Sequence, residues 1–283
     1  MTDLPFRSRA LWRSLAALAL LVLPSAIPAQ GTPDGVCGDI THDGQGYTVC
    51  EVEAGTDLRL WLRGPDGAVL GGFAQVESVL ASEGRRLIFA MNAGMYHPDR
   101  SPVGLYVEEG VAEGRLITSD GPGNFGLLPN GVFCIGDRRF RVIESRRFAA
   151  TAPECRYATQ SGPMLVIDGA LHPRFLPDST SRYRRNGVGV SADGKRAVFA
   201  ISAGAVTFHE FARLFRDGLG LDDALYLDGN ISRLYAPGLG RSDLGFAMGP
   251  IVGLVGPEGP NMGPVGPEGP NMGLVGPDAA AGR

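Results

Sequence analysis

The chain has 283 residues, 44% of them hydrophobic, and a formal net charge of −4. That length suits one large domain or two small ones, and the apolar share is enough to build a real core. A mildly acidic chain without a basic block excludes nucleic acid as the expected partner.

Arg7, Arg9 and Arg13 precede an apolar run over 15–23 that stops at Pro24 and gives way to small residues. This is the layout of a secretory signal peptide over 1–30, with cleavage expected after Ala29 or Gly31. The run is too short to span a bilayer, so no stable membrane insertion is expected after cleavage; an uncleaved anchor is the alternative. Cleavage removes three of the 26 basic residues and one of the 30 acidic ones, taking the net charge to −6. The expected location is periplasmic or secreted. In such an oxidising compartment Cys37, Cys50, Cys134 and Cys155 pair most simply by proximity, 37 with 50 and 134 with 155. The other two connectivities stay open, and the absence of a C-x-x-C pair argues against a zinc ribbon or a thioredoxin-type site.

Partial alternation over 47–53 and 58–63 predicts two half-buried strands. Phe73, Val76 and Leu80 recur at helical spacing, predicting a helix over 73–83 ended by Gly84. The continuous apolar run 87–91 reads as a central strand that empties into Asn92-Ala93-Gly94-Met95-Tyr96-His97. A strand over 103–108 follows. The loop 121–126 matches G-x-G-x-x-G, but Pro129 and Gly131 leave no room for the helix a dinucleotide site requires.

Residues 131–135 and 140–144 read as a hairpin around Gly136-Asp137-Arg138-Arg139. Gln160-Ser161-Gly162-Pro163 then precedes the apolar run 164–167. Beyond the basic cluster Arg182, Arg184 and Arg185, a second hairpin joins 187–191 to 196–201. Its G-x-x-x-x-G-K match ends in Arg196 and a strand, so it is a turn and not a phosphate loop. Thr207 and Glu210 form a capping box at the head of a helix over 207–217, and His209 sits in its first turn.

The short apolar run 224–227 stops at Asp228-Gly229-Asn230. A carboxylate at the end of a buried strand, followed by Gly, is held rigidly while its oxygens face a cleft; the plainer reading is an Asp that starts a turn. From Val255 the chain repeats V-G-P-E-G-P-N-M-G, with glycines too irregular for collagen, predicting an extended, disordered arm over 255–283.

Three polar turns, at 92–94, 160–163 and 228–230, therefore adjoin short apolar runs, and a fourth, Arg185-Asn186-Gly187, opens a strand. If the strands share one sheet, the four turns converge at one edge. They bring together a carboxylate, a guanidinium, amides and backbone N–H groups. A planar guanidinium in that company suits phosphate or carboxylate. No His/Asp spacing demands a metal, and G-x-S-x-G is absent.

M-N-A-G-M-Y (91–96), Q-S-G-P-M-L-V (160–166), R-N-G-V-G-V (185–190) and L-D-G-N-I-S-R-L-Y (227–235) resemble the ordered motifs N-G-G-F-F, S-G-P, R-T-A-I-G and L-D-G-G-G-S of the phosphodiester glycosidase (uncovering-enzyme-like) family. Ala93, Asn186 and Asn230-Ile231 depart from that pattern, and the likeness is closer to an exported bacterial branch. The resemblance implies an α+β single domain over 37–254, with a largely antiparallel or mixed sheet and a few packed helices. It implies hydrolysis of a sugar-1-phosphodiester in an envelope or extracellular glycan, without cofactor or metal. Asp228, Arg185 and His209 are the catalytic candidates. Asn92, Gly94, Tyr96, Ser161, Gly162, Asn186, Gly229, Asn230 and Ser232 are the substrate-binding ones. A non-catalytic glycan-binding domain on the same scaffold is the alternative.

Overall fold

The computed structural model describes residues 35–228 and 231–258. The expected signal peptide, Gly229, Asn230 and the repeat tail from 259 onward lie outside the described residues. The first strands in chain order are β1 (Cys37–His42), β2 (Gln45–Glu53), β3 (Leu58–Trp61), β4 (Arg85–Asn92), β5 (Tyr106–Glu108) and β6 (Val111–Glu113). Next come β7 (Gly131–Gly136), β8 (Arg139–Glu144), β9 (Tyr157–Ser161), β10 (Met164–Ile167) and β11 (Ala170–Leu171). The last are β12 (Asn186–Val190), β13 (Arg196–Ser202), β14 (Asp223–Asp228), β15 (Leu234–Ala236), β16 (Arg241–Ser242) and β17 (Ile251–Pro257). Three helices, α1 (Phe73–Ser82), α2 (Ser145–Thr151) and α3 (Phe208–Arg213), interrupt them.

The strands form three antiparallel sheets where the sequence suggested one. The largest is ordered β1-β2-β13-β12-β14-β10-β11; the second is β16-β15-β4-β17-β3; the third is β6-β5-β9-β7-β8. Side chains alternate faces along each strand, so each sheet has an inner and an outer set. The inner sets merge in one core: Phe199 of β13 lies 5.4 Å from Phe89 of β4 and 5.6 Å from Phe133 of β7, ring centre to ring centre. Leu225 and Leu227 join that core, whereas Ala224 and Tyr226 face outward into a second cluster with Phe211 and Phe215. In the same way α1 covers the outer face of the β4 sheet and α2 that of the β7 sheet. Each helix buries the apolar face that its sheet leaves exposed.

The expected helices form, with α3 shorter than predicted because a π turn over Leu214–Gly218 takes up its end. Its capping box is made: Thr207 Oγ1 accepts from the Glu210 amide at 3.1 Å, and the Glu210 carboxylate accepts from the Thr207 amide at 2.8 Å. Both disulfides are the proximal ones. Cys37 and Cys50 are directly opposite in the β1–β2 ladder, and Cys134 of β7 bonds to Cys155. The basic cluster is mostly neutralised at the surface, Arg182 by Glu210 and Arg184 by Asp243.

One boundary moves. β17 runs three residues into the stretch assigned to the tail, pairing Val255, Gly256 and Pro257 with Leu87, Arg86 and Arg85. Val255 is buried there.

Candidate functional site

The four polar turns come from three different sheets. Asn92 ends β4, Ser161 ends β9, Asn186 opens β12 and Asp228 ends β14. They meet where the sheet ends converge, not along one edge, because β4 pairs with β15 and β17 and never with β14.

Asn186 is the junction. Its Oδ1 accepts from Asn92 Nδ2 at 3.2 Å and from the main-chain N–H of Asp228 at 3.1 Å. Its Nδ2 donates to the Asn92 carbonyl at 2.9 Å. Asn92 Oδ1 in turn accepts from the Arg233 amide at 2.9 Å. Ser232 Oγ lies 2.9 Å from the Asp228 carbonyl oxygen, 3.1 Å from that of Arg184 and 3.5 Å from Asn186 Oδ1. Ser161 Oγ donates to the Leu227 carbonyl at 2.6 Å, fixing the residue just before the carboxylate from the third sheet. Asn92, Ser161 and Asn186 are fully buried, and in a dry site such amide networks hold geometry because each unmade bond is costly.

The two glycines serve close approach. The Gly94 amide donates to Thr159 Oγ1 at 3.2 Å, and a Cβ at Gly94 would stand 2.6 Å from the Gln160 carbonyl oxygen. A Cβ at Gly162 would stand 2.7 Å from Asn130 Cβ. Neither position admits a side chain without moving backbone.

Asp228 is in phase with Tyr226 along β14, and its charge acts on two phenols, Tyr96 and Tyr226. Burial, and secondly the Asp228 carboxylate, push the Tyr96 hydroxyl up to about 12. That hydroxyl is buried and faces the Gly249 amide without making a hydrogen bond of good geometry. Tyr96 is thus a protonated donor with its hydrogen bond unspent, within the influence of the Asp228 charge.

Arg185 is 1% exposed, which the sequence did not suggest. Its Nε donates to the Val206 carbonyl at 2.9 Å and one terminal nitrogen donates to Ser181 at 3.2 Å, while Nη1 has no partner. The guanidinium lies 3.6 Å from the Phe208 ring centre. Phe208 stacks on Phe175 at 5.0 Å, and Phe175 on His172 at 4.6 Å. Burial lowers the arginine's affinity for its proton, but a guanidinium stays charged at any ordinary pH. The guanidinium also lies 5.4 Å from the Tyr226 ring centre, and the Tyr226 hydroxyl feels both this cation and the Asp228 charge.

His209 is half-buried in the first turn of α3, where its neighbour Phe208 makes the contact with Arg185. His97 is exposed on the turn that its carbonyl closes with Arg100. Gly229 and Asn230 lie outside the described residues. Tyr226, Phe208, Thr159 and Arg233 were missed by sequence reasoning. Only Tyr226 carried a signal, standing two residues before Asp228 on the same strand face. No group of three or more His, Cys, Asp or Glu side chains arranged to hold a metal exists among the described residues.

Three antiparallel sheets around a shared core, with a strand-end carboxylate tied in by two asparagines, define a β-rich single-core scaffold. The catalytic domain of zebrafish N-acetylglucosamine-1-phosphodiester alpha-N-acetylglucosaminidase, solved in a form auto-inhibited by its pro-peptide, has this fold: TM-score 0.51 at 15% identity, covering 77% of this chain and 81% of that one. The family model for phosphodiester glycosidase matches residues 85–242. The uncharacterized protein YigE of Escherichia coli (strain K12) is 35% identical over 222 residues, 78% of this chain and 84% of that protein. The chain belongs to the phosphodiester glycosidase family.

Proposed function

We propose that the protein is an exported hydrolase that cleaves the glycosidic bond of a sugar-1-phosphodiester in an envelope or extracellular glycan. The observation that carries this reading is the meeting of three family-like motifs at Asn186 Oδ1, which holds the Asp228 backbone against Asn92.

In this reading Asp228 takes a proton from a water molecule as the water oxygen bonds to the anomeric carbon. The anomeric C–O bond breaks, its electron pair leaves on the phosphate oxygen, and the products are a free sugar and a phosphomonoester. The transition state resembles an oxocarbenium ion, which a neighbouring carboxylate stabilises. Negative charge grows on the departing phosphate, where the unspent Tyr96 O–H donates a hydrogen bond. Phosphate is a good leaving group, so a strongly acidic donor is unnecessary. Arg185 supplies fixed positive charge behind Tyr226 rather than a clamp open to solvent. No step is assigned to His209. The two disulfides suit an extracytoplasmic compartment, and among the described residues no helix is long and apolar enough to cross a membrane.

The test is a panel of sugar-1-phosphodiesters assayed for both products. Release of free sugar and phosphomonoester supports the reading. Binding without release points to a glycan-binding domain, and release of a sugar phosphate places the cut at the P–O bond instead.

A further inference from the structure

Beside Tyr96 lies a groove of about 430 Å³, between the start of α1 and residues 242–247. Val69, Leu70, Phe73 and Leu244 give it apolar walls, and Arg100 and Arg233 also line it. The Arg100 guanidinium lies 5.5 Å from the Tyr96 ring centre, and that of Arg233 lies 5.2 Å from the Phe73 ring centre. The Arg233 main-chain N–H donates to Asn92 Oδ1 at 2.9 Å, and Asn92 is tied through Asn186 to the Asp228 backbone, so a residue that lines the groove is also bonded into the junction that holds the carboxylate.

Its outer rim carries Leu244 and Phe246, 90% and 84% exposed, the most exposed large apolar side chains among the described residues. The segment that presents them is tightly held. Arg233 donates to the Asp243 carbonyl at 3.0 and 2.8 Å and to the Phe246 carbonyl at 2.9 Å. The Asp243 carboxylate accepts from Arg241 at 3.1 and 2.8 Å, from Arg184 at 3.3 Å and from the Leu234 amide at 3.0 Å. Side chains left in water contribute no burial to folding, so a braced segment that displays two of them is built for contact.

We propose that this groove and its rim bind an apolar chain on the phosphate side of the substrate, making the natural leaving group an anionic amphiphile. The inference rests on reading the Asp228 site as a phosphodiester site. Charge and continuity select this occupant. Two guanidiniums line the groove together with its apolar walls, one against the Tyr96 ring and one against the Phe73 ring, a combination that suits a phosphate carrying an alkyl chain. A fully apolar ligand would leave the Arg100 charge beside it without a counter-charge.

Two soluble probes test it on the full chain by calorimetry, decyl phosphate below its micelle concentration and methyl phosphate. Decyl phosphate is expected to bind at least about tenfold more tightly, as burial of several methylenes implies. The double variant Leu244→Ser/Phe246→Ser is expected to remove that preference and leave methyl phosphate affinity unchanged. Equal affinities, or no binding of either probe, overturn the proposal. So does co-sedimentation with phosphatidylglycerol vesicles without a decyl preference, which makes the rim a bilayer contact. Hydrolysis of decyl and methyl esters of N-acetylglucosamine-1-phosphate is scored separately. A decyl preference abolished by the double variant, without hydrolysis of either ester, retains the groove and defeats the activity.

Discussion

The side-chain oxygen of Asn186 accepts the main-chain N–H of Asp228 at 3.1 Å. The same side chain bonds Asn92 in both directions, so one amide fixes the ends of strands from two different sheets. Asn186→Ala would leave two buried donors and a carbonyl without partners. It is expected to lower unfolding free energy by about 2–4 kcal/mol, since each orphaned buried group costs about 1–3 kcal/mol before relaxation. Denaturant midpoints give the answer, and a variant as stable as wild type would show the junction to be incidental.

Asp228→Asn separates charge from shape. Asn serves a turn about as well as Asp and leaves the backbone donation to Asn186 intact, so the fold is expected to survive. Turnover of a sugar-1-phosphodiester is expected to fall on the order of 10²–10⁴-fold, as for loss of an acid–base group. A folded variant with wild-type turnover would return this residue to the role of turn starter.

Arg185 calls for a different expectation from that of an open phosphate clamp. Arg185→Lys keeps the charge but replaces a planar fork, which serves the Val206 and Ser181 carbonyls under a Phe208 ring, with a point charge. The expected result is a loss of about 1–3 kcal/mol of stability from the hydrogen bonds to a charged donor. Substrate affinity should change less than stability does. The reverse pattern, a stable variant with impaired phosphate binding, would make Arg185 a direct ligand.

The sequence exposed most of the strands and the α1 and α3 helices, because those rest on local signals. Period-two alternation marked β2 and β3, and the T-x-x-E box marked α3. What it hid were facts of pairing. Asn92 and Asn186 stand 94 residues apart, and no local pattern says that β4 and β12 lie in different sheets whose ends touch. The burial of Arg185 was hidden for the same reason, since its cover comes from Phe208 on one later helix and Tyr226 on a later strand. β17 was passed over because Gly253 and Gly256 dilute its apolar pattern. A Cβ at Gly253 would stand 2.7 Å from the Phe89 carbonyl oxygen, so that dilution is what lets the strand lie between β3 and β4.

That strand also decides where a C-terminal truncation begins to cost stability. A chain ended after Leu254 loses Val255 and the last ladder partners of Arg85, Arg86 and Leu87. It is expected to lose about 1–3 kcal/mol, most of it from the buried valine. A chain ended after Glu258 keeps all of these contacts. Equal melting temperatures for the two would show that the end of β17 contributes nothing.

His172 gives the structure a pH signature. It is 2% exposed and stacked on Phe175, its Nδ1 accepts from the Arg174 amide at 3.2 Å, and its Nε2 faces the Leu128 carbonyl beyond hydrogen-bonding geometry. Burial holds its pKa down to about 4, from an ordinary value of 6.5. The unfolded chain therefore takes up this proton at a higher pH than the folded one. Stability contributed by neutral His172 is fully present above about pH 6.5 and falls as the pH drops toward 4, where the folded imidazole protonates too. The loss across that window is expected to be on the order of 1–3 kcal/mol. Carboxylates titrate in the same range, so the readout is the difference between wild type and His172→Phe, which keeps a ring against Phe175 and removes the proton site. The variant's unfolding free energy should decline less steeply between pH 6.5 and 4. Parallel curves for the two proteins would mean that His172 protonates in the folded state as it does in water, and that the stack over Arg185 does not exclude its charge.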